Sequence, residues 1–260
     1  MTVSTDHLAA IILAAGKGTR MGGDLPKVVH PVGGRPMICP IVDACLAAGV
    51  GRIIVVVGYK QEMVRDALKN YKVEFAVQAE QHGTGHAVLC AKEALGTNAH
   101  DTLILAGDGP LIRASTLGTL IDKHRTSGAA ATLATSIIDD PTGYGRIVRD
   151  SSGAFREIVE HKNATADQRA IKEVNPSYYC FRRVELFSAL AEVTPNPVSG
   201  ELYLTDTLSI LLRHGKRVEV VAAVPPEDIL SINTPAELAV VDRLYRQRES
   251  RHASPSGARA

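Results

Sequence analysis

Tryptophan is absent from the 260 residues, and aromatic side chains make up only 4%. Binding of single-stranded nucleic acid relies on aromatic platforms that stack bases, so this poverty argues against that class. An excess of charge of one sign is also missing. The 29 Lys and Arg nearly balance the 28 Asp and Glu, leaving a net charge of +1 without the basic surplus of a nucleic-acid binder. Handling phosphate needs only local positive charge, so near-neutrality leaves that class open. Cysteine is scarce. Cys39, Cys45, Cys90 and Cys180 form no CxxC pair, and their spacing suits neither a zinc site nor a disulfide framework. They read as small buried residues of a protein in a reducing cytosol. No apolar run approaches the ~20 residues that span a bilayer. The first run, near Ala9–Ala14, lacks a basic segment before it and is broken by Gly16 and Lys17, so it reads as a buried strand and not a signal peptide. A cytoplasmic protein without nucleic-acid or membrane partners is expected.

Hydrophobic residues at 45% and charged residues at 22% provide for a sizeable core. Unalternating apolar runs at Ala9–Ala14, Arg52–Val57, Val73–Val77 and Thr102–Ala106 predict strands buried on both faces. Helical patterns lie between and after them, at Pro36–Ala48, Gln61–Asn70, Gly85–Leu95 and Ala114–Arg125. This alternation predicts an α/β fold: a Rossmann-like, mixed and mostly parallel sheet flanked by helices. Beyond residue 128 the rhythm becomes strand-rich, with Ala130–Ile138, Arg146–Arg149, Phe155–Glu160 and Glu173–Phe181 separated by turns such as DDPTGYG and DSSG. Helices are expected at Leu202–Arg213 and Thr234–Arg248, the second opened by a capping-box spacing from Thr234 to Glu237 with Pro235 at its first position. The expected organisation is one domain over 1–248. It comprises a strand–helix half at about 8–128, a β-rich lobe at about 129–230 and the closing helix 234–248, before a disordered tail at 249–260.

The first strand runs into a glycine loop, and Leu13–Met21 reads LAAGKGTRM. Gly16 and Gly18 allow backbone N–H groups to approach anionic oxygens, while Lys17 and Arg20 bring charge. The loop is not a P-loop, because Gly18 follows Lys17 where Ser or Thr is needed, and it is not a dinucleotide fingerprint, because Met21 stands at the third glycine position. HGTGH at His82–His86 could suggest a metal pair, but the Gly83–Gly85 turn breaks the helical spacing. Along with His30 and His161, these histidines are expected in packing or hydrogen bonding.

LAAGKGTRM followed by Leu25-Pro26-Lys27 resembles the G-x-G-T-R-M…P-K signature of nucleotidyltransferases. LPKVVH at 25–30, QAEQHGTGHAV at 78–88, GDGPL at 107–111, GYGRIV at 143–148, IVEHK at 158–162 and GELYLTD at 200–206 narrow the likeness. In this order they are similar to the uridylyltransferase domain of bacterial N-acetylglucosamine-1-phosphate uridylyltransferases. The resemblance covers about residues 8–248. It implies that 1–248 is a nucleotidyltransferase domain whose half at about 8–128 binds the nucleotide and whose lobe at about 129–230 binds the sugar.

The resemblance implies Mg²⁺-dependent transfer of UMP from UTP to a sugar 1-phosphate, with N-acetylglucosamine 1-phosphate first among the acceptors. Leu13, Ala14, Ala15, Gly16, Gly18, Thr19 and Arg20 would wrap the triphosphate. Gln78, Gln81, Gly83 and Thr84 fall where the family reads uracil, a base edge that an amide side chain suits. Gly145, Glu160, Asn175, Tyr203 and Thr205 fall where it holds the amino sugar and its phosphate. Asp108 follows a strand at the carboxyl end where open α/β sheets bind ligands, and a single hard carboxylate with phosphate oxygens and water suits Mg²⁺. The family's second ligand, an asparagine, corresponds to Asn233. Arg20, Lys27 and Asp108 form the implied catalytic set, with Lys27 stabilising transition-state charge. A phosphate nucleophile is already anionic near neutral pH, so no general base is needed.

Departures from the family gather on the sugar side. Gly109 replaces a valine, Ala106 an aromatic residue and Leu202 a frequent tyrosine, while the family's E-I-N-T-G-I becomes Glu173-Val174-Asn175-Pro176-Ser177-Tyr178. Another hexose 1-phosphate or another nucleoside triphosphate is therefore kept as an alternative. A non-catalytic nucleotide-sugar sensor is a third reading, although binding alone would not need Arg20, Lys27, Asp108 and Asn233 together. The family's bifunctional members continue into an acetyltransferase β-helix that drives trimerisation. No hexapeptide repeats follow the closing helix here, so no acetyl transfer and a monomer or weak dimer are expected.

Overall fold

The computed structural model describes residues 7–253. Strands and helices alternate as β1 (Leu8–Ala14), β2 (Pro31–Val32), β3 (Arg35–Pro36), α1 (Ile38–Ala47), β4 (Arg52–Val57), α2 (Gln61–Ala67), β5 (Glu74–Val77), α3 (Thr84–Cys90), α4 (Lys92–Leu95), β6 (Asp101–Ala106) and α5 (Ala114–Ser127). The strand-rich part follows as β7 (Ala131–Ile137), β8 (Gly145–Arg149), β9 (Phe155–Val159), α6 (Ala166–Arg169), β10 (Glu173–Arg182), α7 (Arg183–Leu190), α8 (Asp206–Arg213), β11 (Val218–Ala222) and α9 (Pro235–Ala253).

The main sheet has the order β11-β7-β10-β6-β1-β4-β5, and β8 and β9 extend it from β10. Its N-terminal half is parallel, with β6, β1, β4 and β5 in register. The sheet is mixed because β10 runs antiparallel between β6 and β7. The strand-rich part therefore continues the same sheet. Successive side chains of β1 face opposite sides. Leu8, Ala10 and Ile12 join the core beneath α1, α2, α5 and α9. Ala9 and Ile11 join the core beneath α3, α4, α7 and α8. Both faces are covered, which is why IILA and IIVVV show no polar alternation. Among the described residues, no helix is long and apolar enough to cross a membrane.

Several expectations shift. The helix expected over Leu202–Arg213 begins only at Asp206, because the Leu202 amide donates to the His82 carbonyl and its own carbonyl accepts from Gly85. That crossing ties 202–205 down as a loop. The segment Gly85–Leu95 forms two helices that meet at Ala91. Arg35–Pro36 pairs with Pro31–Val32, which delays α1 to Ile38. The expected disordered tail is helical from Glu249 to Ala253, and residues 254–260 lie outside the described residues. The Thr234 capping box forms as expected, with Thr234 N donating to Glu237 and Glu237 N to the Thr234 hydroxyl at 2.8 and 3.2 Å. Helix α7 and strand β11 had not been anticipated.

Candidate active site

Two cavities open at the carboxyl ends of β1 and β6. One, of about 300 Å³, is lined by the β1 end Leu13–Gly16, by Lys27 and Asp108, and by Gln78, Gln81, Gly83 and Thr84. The other, of about 310 Å³, is lined by Glu160, Asn175, Tyr203 and Thr205 together with Lys162, Ser177 and Tyr179. Leu13, Thr84 and Ala106 belong to both walls, so the two form adjoining chambers of one cleft.

The first chamber is framed by tight turns. Gly18 has φ +69°, and a Cβ there would lie 2.6 Å from the Cβ of Lys27. Glycine at 18 thus permits both the left-handed turn and the approach of the lysine. The Lys27 ammonium reaches an Asp108 carboxylate oxygen at 2.5 Å and the Asn233 amide oxygen at 2.6 Å. Arg20 donates to the same Asn233 oxygen at 3.0 Å. Four side chains far apart in sequence therefore converge on one point. The Asn233 loop is held by its backbone, because Ile232 N donates to the Asp108 carbonyl at 3.0 Å.

An Mg²⁺ ion is implied for this site, and the donors suit it. Oxygens of Asp108 and Asn233 already face a common cation, the Lys27 ammonium. A hard divalent ion held by one or two protein oxygens, with phosphates and waters completing its shell, needs no larger cluster. Among the described residues no three His, Cys, Asp or Glu side chains gather as a metal site.

Not every residue expected at the phosphates lines this chamber. Lys17 extends over the Tyr59 ring, 5.3 Å from its centroid, and Thr19 is exposed and lines neither chamber. Arg20 and Asn233 meet the chamber through Lys27. Gln81 donates to the Ala15 carbonyl at 2.8 Å, which ties the 78–84 segment to the β1 loop. Gln78 is buried, and its amide N donates to the Gly83 carbonyl and contacts His86 Nδ1, both at 3.1 Å. It braces the Gly83 turn. That turn has φ +96°, and a Cβ on Gly83 would meet the Leu202 carbonyl at 2.6 Å. The Thr84 hydroxyl accepts from Leu204 N at 3.0 Å, joining the chambers.

The second chamber depends on an irregularity in β10. The β10–β7 register shifts between Val174 and Tyr178, and within this bulge Ser177 takes φ +67°. Pro176 is tolerated there because the ladder is interrupted. The Asn175 side chain accepts from Ser177 N at 3.1 Å and donates to the Tyr179 hydroxyl at 2.7 Å, so it holds the bulge and aims the phenol. Burial pushes the Tyr179 hydroxyl up to about 12, keeping it a neutral donor. Gly145 opposes Asn175 in register but lines neither chamber, and a Cβ there would meet Ile158 at 2.9 Å and Glu160 Oε1 at 3.5 Å. It leaves room for the Glu160 carboxylate.

Lys162, Tyr179 and Glu201 were not singled out from sequence, although Lys162 lies within IVEHK and brings a cation beside Glu160. Gly109 and Tyr178, two departures from the family pattern, meet each other. A Cβ on Gly109 would lie 3.0 Å from the Tyr178 hydroxyl, so the small residue accommodates the large one. The histidines pack or bond as expected: His82 with Glu80 at 2.8 Å and His161 with Arg146 at 3.1 Å.

The MobA-like NTP transferase domain family matches residues 10–195, more than half of the chain. The bifunctional protein GlmU of Desulfotalea psychrophila is 44% identical over 250 residues, which are 96% of this chain and 74% of that protein. GlmU of Pelotomaculum thermopropionicum is 46% identical over 250 residues, and GlmU of Geobacillus thermodenitrificans is 44% identical over 248. The chain spans 54% of the length of each of these two. With the Arg20–Lys27–Asp108–Asn233 convergence and the paired chambers, these likenesses place the chain in the MobA-like NTP transferase family, as a nucleotidyltransferase related to the GlmU proteins.

Proposed function

We propose that the protein transfers UMP from UTP to a sugar 1-phosphate, N-acetylglucosamine 1-phosphate first among the acceptors, and releases pyrophosphate. The observation that carries this reading is the shared wall of the two chambers. A nucleotide in one and a sugar phosphate in the other would meet beside Leu13, Thr84 and Ala106, next to the Lys27–Asp108 pair. The nucleophile needs no deprotonation, so positioning and charge neutralisation supply the catalysis. Gln81 and the Gly83 turn offer amide and backbone groups to the base. Lys27 and Arg20 hold the α- and β-phosphates and spread the charge of the transition state. Asp108 and Asn233 would hold Mg²⁺, which neutralises phosphate charge when bound. Glu160, Asn175, Tyr179 and Thr205 offer hydrogen bonds to sugar hydroxyls, with Lys162 near the sugar phosphate.

A second acceptor is favoured by two observations. Ala106 leaves space at the shared wall, and Ser177 places a hydroxymethyl group in the sugar chamber. Pyrophosphate release, measured for each nucleoside triphosphate against a panel of sugar 1-phosphates, tests both readings. UTP with N-acetylglucosamine 1-phosphate is expected to be fastest. A faster hexose 1-phosphate would replace that acceptor, and no turnover with any pair despite tight binding of UDP-sugars would overturn the enzymatic reading.

A further inference from the structure

Strand β8 opens with Gly145 and Arg146, whose side-chain directions alternate across the sheet. Each meets one of two consecutive residues that follow β9. Gly145 leaves room for Glu160, since a Cβ there would lie 3.5 Å from the carboxylate Oε1. Arg146 reaches His161. Its Nη2 donates to the imidazole Nδ1 at 3.1 Å, and Nη1 donates to the Tyr144 carbonyl. A guanidinium can only donate, so Nδ1 is the acceptor and the neutral ring carries its proton on Nε2.

The side chains after β9 divide accordingly. Glu160 and Lys162 are exposed and line the second chamber, whereas His161 between them is half-buried and absent from its wall. The three residues lead into a single short turn, His161–Asn163, closed by Asn163 N donating to the Glu160 carbonyl at 2.9 Å. One turn is marginal by itself. The Arg146 bond ties it to β8, and β8 in turn pairs with β10, where Asn175 stands opposite Gly145.

Stability does not account for an arginine at this place. Arg146 is 1% exposed, its Nε has no hydrogen-bond partner, and Asp140 acts on it only at longer range, without a hydrogen bond. A buried guanidinium without a bonded carboxylate is costly, and two neutral acceptors offset little of that cost. What the residue does achieve is a fixed turn. We infer that Arg146 and His161 are positioning residues for the sugar phosphate, their hydrogen bond holding Glu160 and Lys162 towards the second chamber before the acceptor arrives. Preorganised contacts save the cost of ordering side chains on binding. The inference rests on the place proposed above for the acceptor.

Steady-state pyrophosphate release with UTP and N-acetylglucosamine 1-phosphate separates the two KM values in the wild type, His161→Leu and His161→Asn. His161→Leu loses the acceptor. Its KM for the sugar phosphate should rise about tenfold, the scale of ordering two long side chains on binding, with KM for UTP unchanged. His161→Asn, whose amide oxygen can accept from Arg146, should recover most of that loss. An unchanged KM for the sugar phosphate in His161→Leu, an equal rise in both KM values, or an asparagine variant as impaired as the leucine one would overturn the inference. If His161→Leu unfolds, Arg146→Met, which removes the donor, carries the same kinetic test. Imidazole ¹⁵N NMR of the intact protein at alkaline pH reads the contact itself. The His161 proton should reside on Nε2 in the wild type and spread over both nitrogens in Arg146→Met, whereas a wild-type proton on Nδ1 would overturn the inference whatever the kinetics. No turnover of the wild type on any sugar 1-phosphate would instead remove the proposed reaction, and the spectrum would still decide the Arg146–His161 contact.

Discussion

The two chambers of the cleft are of nearly equal size and share three residues, yet they are built by different means. The first chamber, proposed above for the nucleotide, rests on local backbone geometry, with turns at Gly18 and Gly83 whose positive φ values only glycine adopts without strain. The second chamber, proposed for the sugar, rests on distant pairings. β10 bulges between β7 and β8, a serine occupies the left-handed position, and the 202–205 loop is held from across the cleft. Local geometry tolerates little variation, whereas a bulge among distant strands can change its side chains and keep its shape. Of the residues that depart from the family pattern, Ser177 lines the second chamber, Ala106 lines both, and Gly109, Tyr178 and Leu202 line neither.

The comparison can be broken most severely at Lys27. Lys27→Ala removes the cation that joins Asp108 and Asn233, and pyrophosphate release should fall by about 10³-fold, the scale of losing a preorganised charge in a transition-state site. Next is the Gly83 turn. Gly83→Ala forces a Cβ against the Leu202 carbonyl at φ +96°, and urea unfolding should show a loss of about 2–3 kcal/mol together with weaker nucleotide binding.

Positions outside the first chamber should be more forgiving. Gly109→Val crowds the Tyr178 hydroxyl and should cost about 1–2 kcal/mol, and adding Tyr178→Ile should recover most of that loss. Additive effects of the two substitutions in urea unfolding would show that they do not compensate. Ser177→Gly relieves a left-handed serine and should stabilise by at most about 1 kcal/mol. It should also alter KM for the sugar phosphate and leave KM for UTP unchanged, and the opposite pattern would reverse the chamber assignments.

The smallest effect concerns pH. Burial holds the His30 imidazole below its ordinary value of 6.5, so the unfolded chain takes up this proton first. The stability His30 contributes is present above 6.5 and is lost as pH falls towards the lower folded value. The drop in Tm between about pH 7.5 and 5.5 should therefore shrink in His30→Gln.

What sequence conveyed follows the same division. The buried strands of the N-terminal half, the LAAGKGTRM turn and the Thr234 capping box are encoded by neighbouring residues, and they appear at or near the expected positions. The meeting of Arg20, Lys27, Asp108 and Asn233 was legible through motifs, although no local rule brings residues 27 and 233 together. Tyr179 escaped notice because its orientation follows from the β10 bulge, and Lys162 because its place on the cavity wall depends on the short turn His161–Asn163 after β9. The expected helix at Leu202 failed for a similar reason: its backbone partners, His82 and Gly85, lie more than a hundred residues earlier. β11 has the short Val218–Ala222 pattern of an ordinary strand, but its place beside β7 is a property of the assembled sheet.

Asp108 is the carboxylate that, with Asn233, faces the Lys27 ammonium beside the glycine loop. The most direct measurement is pyrophosphate release by Asp108→Ala, followed across a full Mg²⁺ titration with UTP and the best acceptor, with thermal melting as the check on folding. The account predicts a folded protein without turnover at any Mg²⁺ concentration. A folded variant with full turnover would contradict it and would remove Asp108 from the centre of the site.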